Sequence, residues 1–399
     1  MHLSYCTNVH PAEDLAGVIA QLDGFAGPAR IAAGLDRLGV GLWLPVDLAA
    51  RLATDPAALA ELVECLRRNE LEVRTLNAFP YRGFHADVVK LAVYSPDWTD
   101  PARAEYTLNC ARVLAALLPP GACGSISTLP VAWREPWDAE RDRRATAEIA
   151  RVARELAELE AREGRLVRLA VEPEPGCILD DVEDVVGWLA ERAAPDRPAD
   201  VRIDPRYVGV CLDTCHLAVS FADPGVAIRS IHQRGLRIVK VQASAALELP
   251  DPADPRGVAA VRRFVEPRYL HQVRERTSTG TVGVDDLPDA LESLPATGPW
   301  RVHFHVPLHH RPEPPLRATT DVLLRSMEVL GELPYHGQIH LDVETYTWSV
   351  LPPGSEPGDL VAGIAAELRW AGRELLTPAR EPVRTAGRLT EAARQEVAS

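Results

Sequence analysis

Nine short β-rich runs recur along the 399-residue chain, separated by segments of helical periodicity, and this alternation constrains the fold more than any other feature. The runs are "LSYCTN" from Leu3, "VGLWLP" from Val40, "EVRTLNAFP" from Glu72, "GSISTLP" from Gly124, "LVRLAVEPEP" from Leu166, "VGVCLDTCH" from Val208, "RIVKVQASAAL" from Arg237, "RVHFHVPL" from Arg301 and "IHLDVETYTW" from Ile339. A spacing of roughly 30 to 65 residues is that of strand and helix units building a parallel sheet. Eight units close a (β/α)8 barrel, whereas an open doubly wound sheet calls for a glycine-rich phosphate turn after an early strand, and the sequence holds no GxGxxG. One run is therefore surplus. The Arg237 and Arg301 runs compete for the seventh barrel position, and "YLHQVRERTSTGTVGV" between them predicts an extra hairpin.

The helical segments carry their own signals. Asp55 is placed to cap a helix opening at Pro56, with Leu59, Leu62, Val63 and Leu66 as the stripe facing the sheet. Similar stripes follow Asp100, Asp138, Asp181, Asp223 and Asp321, each an acid at a predicted helix N-terminus. From Thr377 the sequence mixes small and charged residues without an apolar period, so residues 1–376 are assigned to the barrel and 377–399 to a flexible C-terminal tail.

Charge narrows the partners. With 43 basic and 57 acidic residues the formal charge is −14, which supplies no basic field for a phosphate backbone or an anionic membrane, so no nucleic-acid partner is expected. The N-terminal residues have neither a basic nor an apolar leader pattern, and no run of eighteen apolar residues occurs, which predicts a cytoplasmic protein without membrane insertion. Seven cysteines without a CxxC pair argue for reduced thiols, not a disulfide framework or a structural zinc module.

In such a barrel the carboxyl ends of the strands surround one mouth, so polar residues at those ends converge. The fifth run ends in Glu172 and Glu174, the sixth in Asp213 and His216, and the last in Asp342 and Glu344; the seventh offers Gln242 or the pair His303 and His305. Carboxylates crowded at a low-dielectric mouth repel one another unless a cation neutralises them, so a divalent metal ion is the economical expectation. Glu172 closes the apolar run from Leu169 and is preferred to Glu174 at metal height. Strand alternation places His303 and His305 on one face with Phe304 opposite. Cys211 sits among apolar neighbours and reads as a core residue. Asn8, His10, Asn77, Tyr81 and His85 are weaker candidates, the last two in a loop with the composition of a substrate cover, and Tyr346 and Trp348 follow Glu344.

Together "LAVEPEP", "VGVCLDTCH", "RVHFHVPL" and "LDVETYTW" resemble the xylose isomerase-like (β/α)8, or TIM barrel, superfamily of sugar isomerases, sugar epimerases and apurinic endonucleases. More narrowly, "HLSYCTNVHP", "LNAFPYRGFH", "VCLDTCHLAV", "KVQASAAL", "YLHQV", "HFHVPL" and "VETYTW" resemble the EboE-type metabolite traffic proteins, from His2 to Leu375. The superfamily resemblance implies a divalent cation (Mn2+, Mg2+, Co2+ or Zn2+) on Glu172, Asp213, Glu344 and one of His303 or His305, with His216 touching substrate. Gln242 stands where a histidine is expected on the seventh strand. The narrower resemblance implies a small-molecule metabolite as partner, and other proteins of the same pathway.

The resulting expectation is a metal-dependent isomerase or epimerase acting on a sugar-like or hydroxy-carbonyl metabolite, with Glu172 and Glu344 as ligand and base and His216 beside them. His85, Asn77, Gln242, Glu174 and Tyr346 are the expected substrate contacts. The alternative is a non-catalytic carrier using the same pocket, since a scaffold does not dictate a reaction.

Overall fold

Strands buried on both faces read as near-continuous apolar runs, and six of the nine runs lie in fully buried strands of one parallel sheet. The structure is a computed structural model that describes residues 1–352 and 359–376. Its strands are β1 (His2–Cys6), β2 (Leu38–Trp43), β3 (Leu71–Asn77), β4 (Gly124–Thr128), β5 (Val167–Val171), β6 (Val208–Asp213), β7 (Ile238–Ala243), β8 (Leu247–Leu249), β9 (Val273–Thr277), β10 (Gly280–Val284), β11 (Trp300–Val302), β12 (Arg317–Ala318) and β13 (His340–Val343). Eight of them close in the order β1-β13-β7-β6-β5-β4-β3-β2, with helices on the outside. The expected (β/α)8 barrel is therefore present, and the proposed tail at 377–399 lies outside the described residues.

The seventh barrel strand is the Arg237 run: β7 pairs in parallel with β6 on one side and β13 on the other. The Arg301 run contributes instead to a second sheet, antiparallel in the order β10-β9-β11-β8-β12 and inserted between β7 and β13. The predicted hairpin is its β9–β10 arm. His303 and His305 thus leave the end of β11 in irregular chain, not on a barrel strand, because apolar alternation marks a strand without saying which sheet it joins. Their side chains still point the same way, with ring centroids 5.3 Å apart, while Phe304 packs on Phe264.

The helix Pro56–Arg68 is capped as expected, Asp55 accepting from the amides of Ala57 and Ala58, and Asp100, Asp138, Asp181 and Asp223 cap their helices in the same way. Its buried face is Ala58, Leu62, Cys65 and Leu66; Val63 is exposed. Asp321 is not a cap: Thr319 holds that position and Asp321 lies in the first turn of Thr320–Gly331, where its charge meets the helix dipole.

The barrel interior is polar. Lys240 Nζ lies 2.9 Å from Asp342 Oδ2, and Ser4 Oγ donates to Asp342 Oδ1 at 2.8 Å. Gly41 makes room for this carboxylate, since a Cβ there would fall 2.1 Å from Asp342 Oδ2. All seven cysteines are free, and no helix among the described residues is long and apolar enough to cross a membrane.

Candidate functional site

The carboxyl ends of β5, β6 and β13 deliver Glu172, Asp213 and Glu344 to one point, where their ligand atoms lie within 4.8 Å of one another and all three residues are buried. Each is held by its own local structure. Asp213 caps the short helix Thr214–Val219, its Oδ1 accepting from the His216 amide and from Ser244 Oγ, both at 2.8 Å, so Oδ2 is left for other work. Glu344 Oε1 accepts from Asn8 Nδ2 and Asn77 Nδ2, each at 2.8 Å. The Pro173–Pro175 exit after Glu172 carries Glu174 to a different neighbourhood, where Tyr94 and Gln272 donate to its Oε1 at 2.9 and 3.2 Å. Sequence preference for Glu172 as the carboxylate beside Asp213 and Glu344 agrees with this geometry.

Three imidazoles complete the site. His305 shares a cluster with Asp213 and His216, its Nε2 3.9 Å from Asp213 Oδ2 and its Nδ1 2.7 Å from the Glu344 carbonyl oxygen. His216 Nδ1 donates to the Pro173 carbonyl at 2.9 Å, and His303 Nδ1 donates to Gln272 Oε1 at 2.6 Å.

Electrostatics follow from crowding without water. Burial, and after it the charges of Glu344 and Asp213, push the Glu172 carboxyl well above its usual range. Glu344 is pushed up to about 8 by burial and then by Asp213, with Lys240 and the Asn8 amide working against the shift. Burial lowers His305 to about 4, so it is a neutral ring with a lone pair to offer. Among the described residues no hydrogen-bond partner reaches Glu172 Oε2, Asp213 Oδ2 or His305 Nε2, although all three are buried. Orphaned acceptors of this kind are costly unless a cation satisfies them, and their oxygen and imidazole chemistry fits a divalent metal ion.

The cavity over this cluster has about 540 Å³ of atom-free space, its mouth included, and is walled in part by Asn8, Asn77, Glu174, His216 and Tyr346. Phe84, Tyr269 and Tyr346 pack on one another at its rim, with centroid separations of 4.9 to 5.3 Å. Two expected substrate contacts stand elsewhere. His85 turns its Nε2 to the Asn8 carbonyl at 2.7 Å and is not part of the cavity wall. Gln242 is buried beside Asp213 in the β6–β7 register, with both amide atoms unpartnered, and it too is absent from the wall. His10 is stacked on Phe25.

Sequence reading missed Lys240, Tyr94, Tyr269 and Gln272. Lys240 was signalled by its parity with Gln242 inside an apolar strand; Gln272 reaches the site only because the inserted sheet folds over the mouth, which no local pattern announces.

A family model described as the xylose isomerase-like TIM barrel matches residues 31–325. The chain belongs to that family. No curated protein matches it. Solved structures to which the chain is similar include a xylose isomerase-like TIM barrel protein from Mycobacterium smegmatis in complex with magnesium, 13% identical with a TM-score of 0.49, covering 94% of this chain and 96% of that one. The IOLI protein with a bound zinc atom is 12% identical, with a TM-score of 0.48, covering 94% of this chain and 100% of that one. A candidate sugar phosphate isomerase/epimerase from Anabaena variabilis ATCC 29413 is 16% identical, with a TM-score of 0.47, covering 94% and 98%.

Proposed function

We propose that this xylose isomerase-like barrel is a divalent-metal-dependent isomerase or epimerase of a small hydroxy-carbonyl metabolite. The observation that carries the proposal is the meeting of Glu172, Asp213 and Glu344 within 4.8 Å, with buried oxygens left unpaired. These three carboxylates, with His305 Nε2 beside Asp213, would hold the ion. When bound, it supplies positive charge to the oxygens of a hydroxy-carbonyl group and so acidifies the neighbouring C–H bond.

The chain's own residues supply the remainder. Asn8 and Asn77 fix Glu344 by one oxygen and leave Oε2 free to accept a proton from carbon. Glu172, from a strand three places further round the barrel and likewise raised in proton affinity, is a second proton carrier, and the Glu344 value of about 8 suits transfer near neutral pH. Tyr346, Tyr269 and Phe84 exclude water from above. The resemblance to EboE-type metabolite traffic proteins supports a role beside other proteins of one pathway, and the free cysteines support a cytoplasmic setting.

The test is solvent exchange. Metal-loaded protein incubated with unphosphorylated and phosphorylated ketoses in deuterated water should place deuterium on the carbon beside the carbonyl, and Glu344→Gln should abolish this. A ligand that binds without exchange would replace the enzyme with the carrier.

A further inference from the structure

The cavity over the carboxylates has two unlike ends. Its floor is the polar cluster described above, whereas Phe79, Pro80, Phe84, Val89, Val93 and Leu270 supply wall that carries no side-chain donor or acceptor. Much of that wall is one packing unit: Trp43, Phe84, Val89, Tyr269 and Tyr346 form a buried cluster separate from the barrel core, with Val93 packed against it. Two distant segments assemble it, since the Val89 and Lys90 amides both donate to the Arg268 carbonyl, at 2.8 and 3.0 Å. Where such a cluster turns a face to a cavity, it has apolar surface still to bury.

The polar groups at this end are nearly all committed. Tyr94 Oη donates to Glu174 Oε1 at 2.9 Å and accepts from Gln272 Nε2 at 3.1 Å, and Tyr346 Oη lies 3.5 Å from His303 Nε2. Tyr269 Oη, which no hydrogen-bond partner reaches among the described residues, is the hydroxyl left over. Lys90 is the one lysine or arginine in the wall among the described residues, and its ammonium group pairs with Asp286 and donates to the Tyr269 carbonyl at 3.3 Å. Arg268 is not in the wall; its guanidinium carbon is 5.9 Å from the Tyr269 ring centroid, and it donates to Ser349 Oγ at 3.2 Å. A sugar hydroxyl or a phosphate laid against Phe84 and Val89 would give up water without gaining a partner. The phosphate would also meet the negative charge of Glu172, Glu174 and Glu344. Carbon placed there gains by leaving water.

We propose that the substrate of this site carries an aryl or alkyl group beyond its hydroxy-carbonyl unit, and no phosphate. The polar unit lies over the carboxylate cluster, and the apolar group lies against Phe84, Val89, Val93 and Leu270. This rests on the isomerase or epimerase reading for the polar end and narrows its substrate class at the other. The cavity, about 540 Å³ with its mouth, is within the range of about 300 to 1,000 Å³ in which apolar walls and a few placed polar groups hold a ligand together. Phe84 and its neighbours thus bind substrate as well as exclude water.

Calorimetric titration of the full, Mg2+-loaded chain tests this with hydroxyacetone, its homologues lengthened by one, two and three methylenes, and hydroxymethyl phenyl ketone. Kd should fall about fourfold for each methylene, with the phenyl ketone at least as tight as the longest homologue. Dihydroxyacetone phosphate should bind no tighter than dihydroxyacetone. Phe84→Ala and Leu270→Ala should each reduce the gain to about twofold or less per methylene, read as a slope within each variant, so that the second guards against a misfolded first. A flat wild-type series, binding of no member of it, or a phosphate that tightens binding by about tenfold would overturn the proposal. Deuterium exchange recorded on the same ketones keeps the two readings apart. A slope without exchange leaves the apolar subsite standing in a carrier, whereas exchange with a flat series leaves the enzyme standing and removes the subsite.

Discussion

Lys240 Nζ lies 2.9 Å from Asp342 Oδ2 with both side chains at 0% exposure, so a dry ion pair occupies the barrel interior near the carboxylate cluster. Burial opposes the Lys240 charge, but the Asp342 carboxylate together with Cys6 and Cys211 outweighs it, so the ammonium group holds its proton more tightly than usual. Removing one partner strands the other. Lys240→Met should lower stability by about 3 to 5 kcal/mol in urea unfolding, and the double variant Lys240→Met/Asp342→Leu should recover most of that loss. Recovery would show that the pair is replaceable by packing; a double variant as unstable as the single one would show that Asp342 is needed for more than its charge.

Asn77 donates to the same Glu344 oxygen as Asn8, and donors to a carboxylate favour its charged form. Asn77→Ala should therefore raise Glu344 above its value of about 8 and weaken Mn2+ binding at pH 7 by about tenfold, the equivalent of a ~1.4 kcal/mol loss. The deficit should shrink as pH rises past the titration of Glu344, because both proteins are then ionised. Isothermal titration at pH 7 and pH 9 measures the difference.

Glu367, on the helix Leu360–Glu374, ties two parts of the site together by accepting from the Leu308 amide at 2.8 Å and from Thr345 Oγ1 at 2.7 Å. Burial pushes its carboxyl up to about 7. A folded value above the unfolded one means that the folded state binds more protons between the two, so this residue's contribution to stability is full below about pH 4.5 and is lost as pH rises to about 7. Glu367→Gln should remove that part of the pH dependence, up to roughly 3 kcal/mol, in unfolding curves recorded from pH 5 to pH 8.

The barrel was legible because its strands are buried on both faces and its helices open with acidic caps, signals that are local in sequence. Glu172, Asp213 and Glu344 were legible for the same reason: each follows an apolar run at the parity of the interior. What escaped depends on tertiary placement. Val302, Phe304 and Val306 alternate as well as any barrel strand does, yet β11 joins the inserted antiparallel sheet, and only its position over the mouth explains how His303 and His305 reach the site. Gln272 and Tyr94 come from segments with no catalytic pattern of their own and matter because folding sets them against Glu174.

Anomalous scattering from a crystal of the protein grown with Mn2+ tests the central claim most directly. A difference peak at the manganese edge is expected among Glu172, Asp213 and Glu344, lost in Asp213→Asn with the barrel unchanged. Full-occupancy Mn2+ elsewhere with that space bare, or the same peak undiminished in Asp213→Asn, would contradict it.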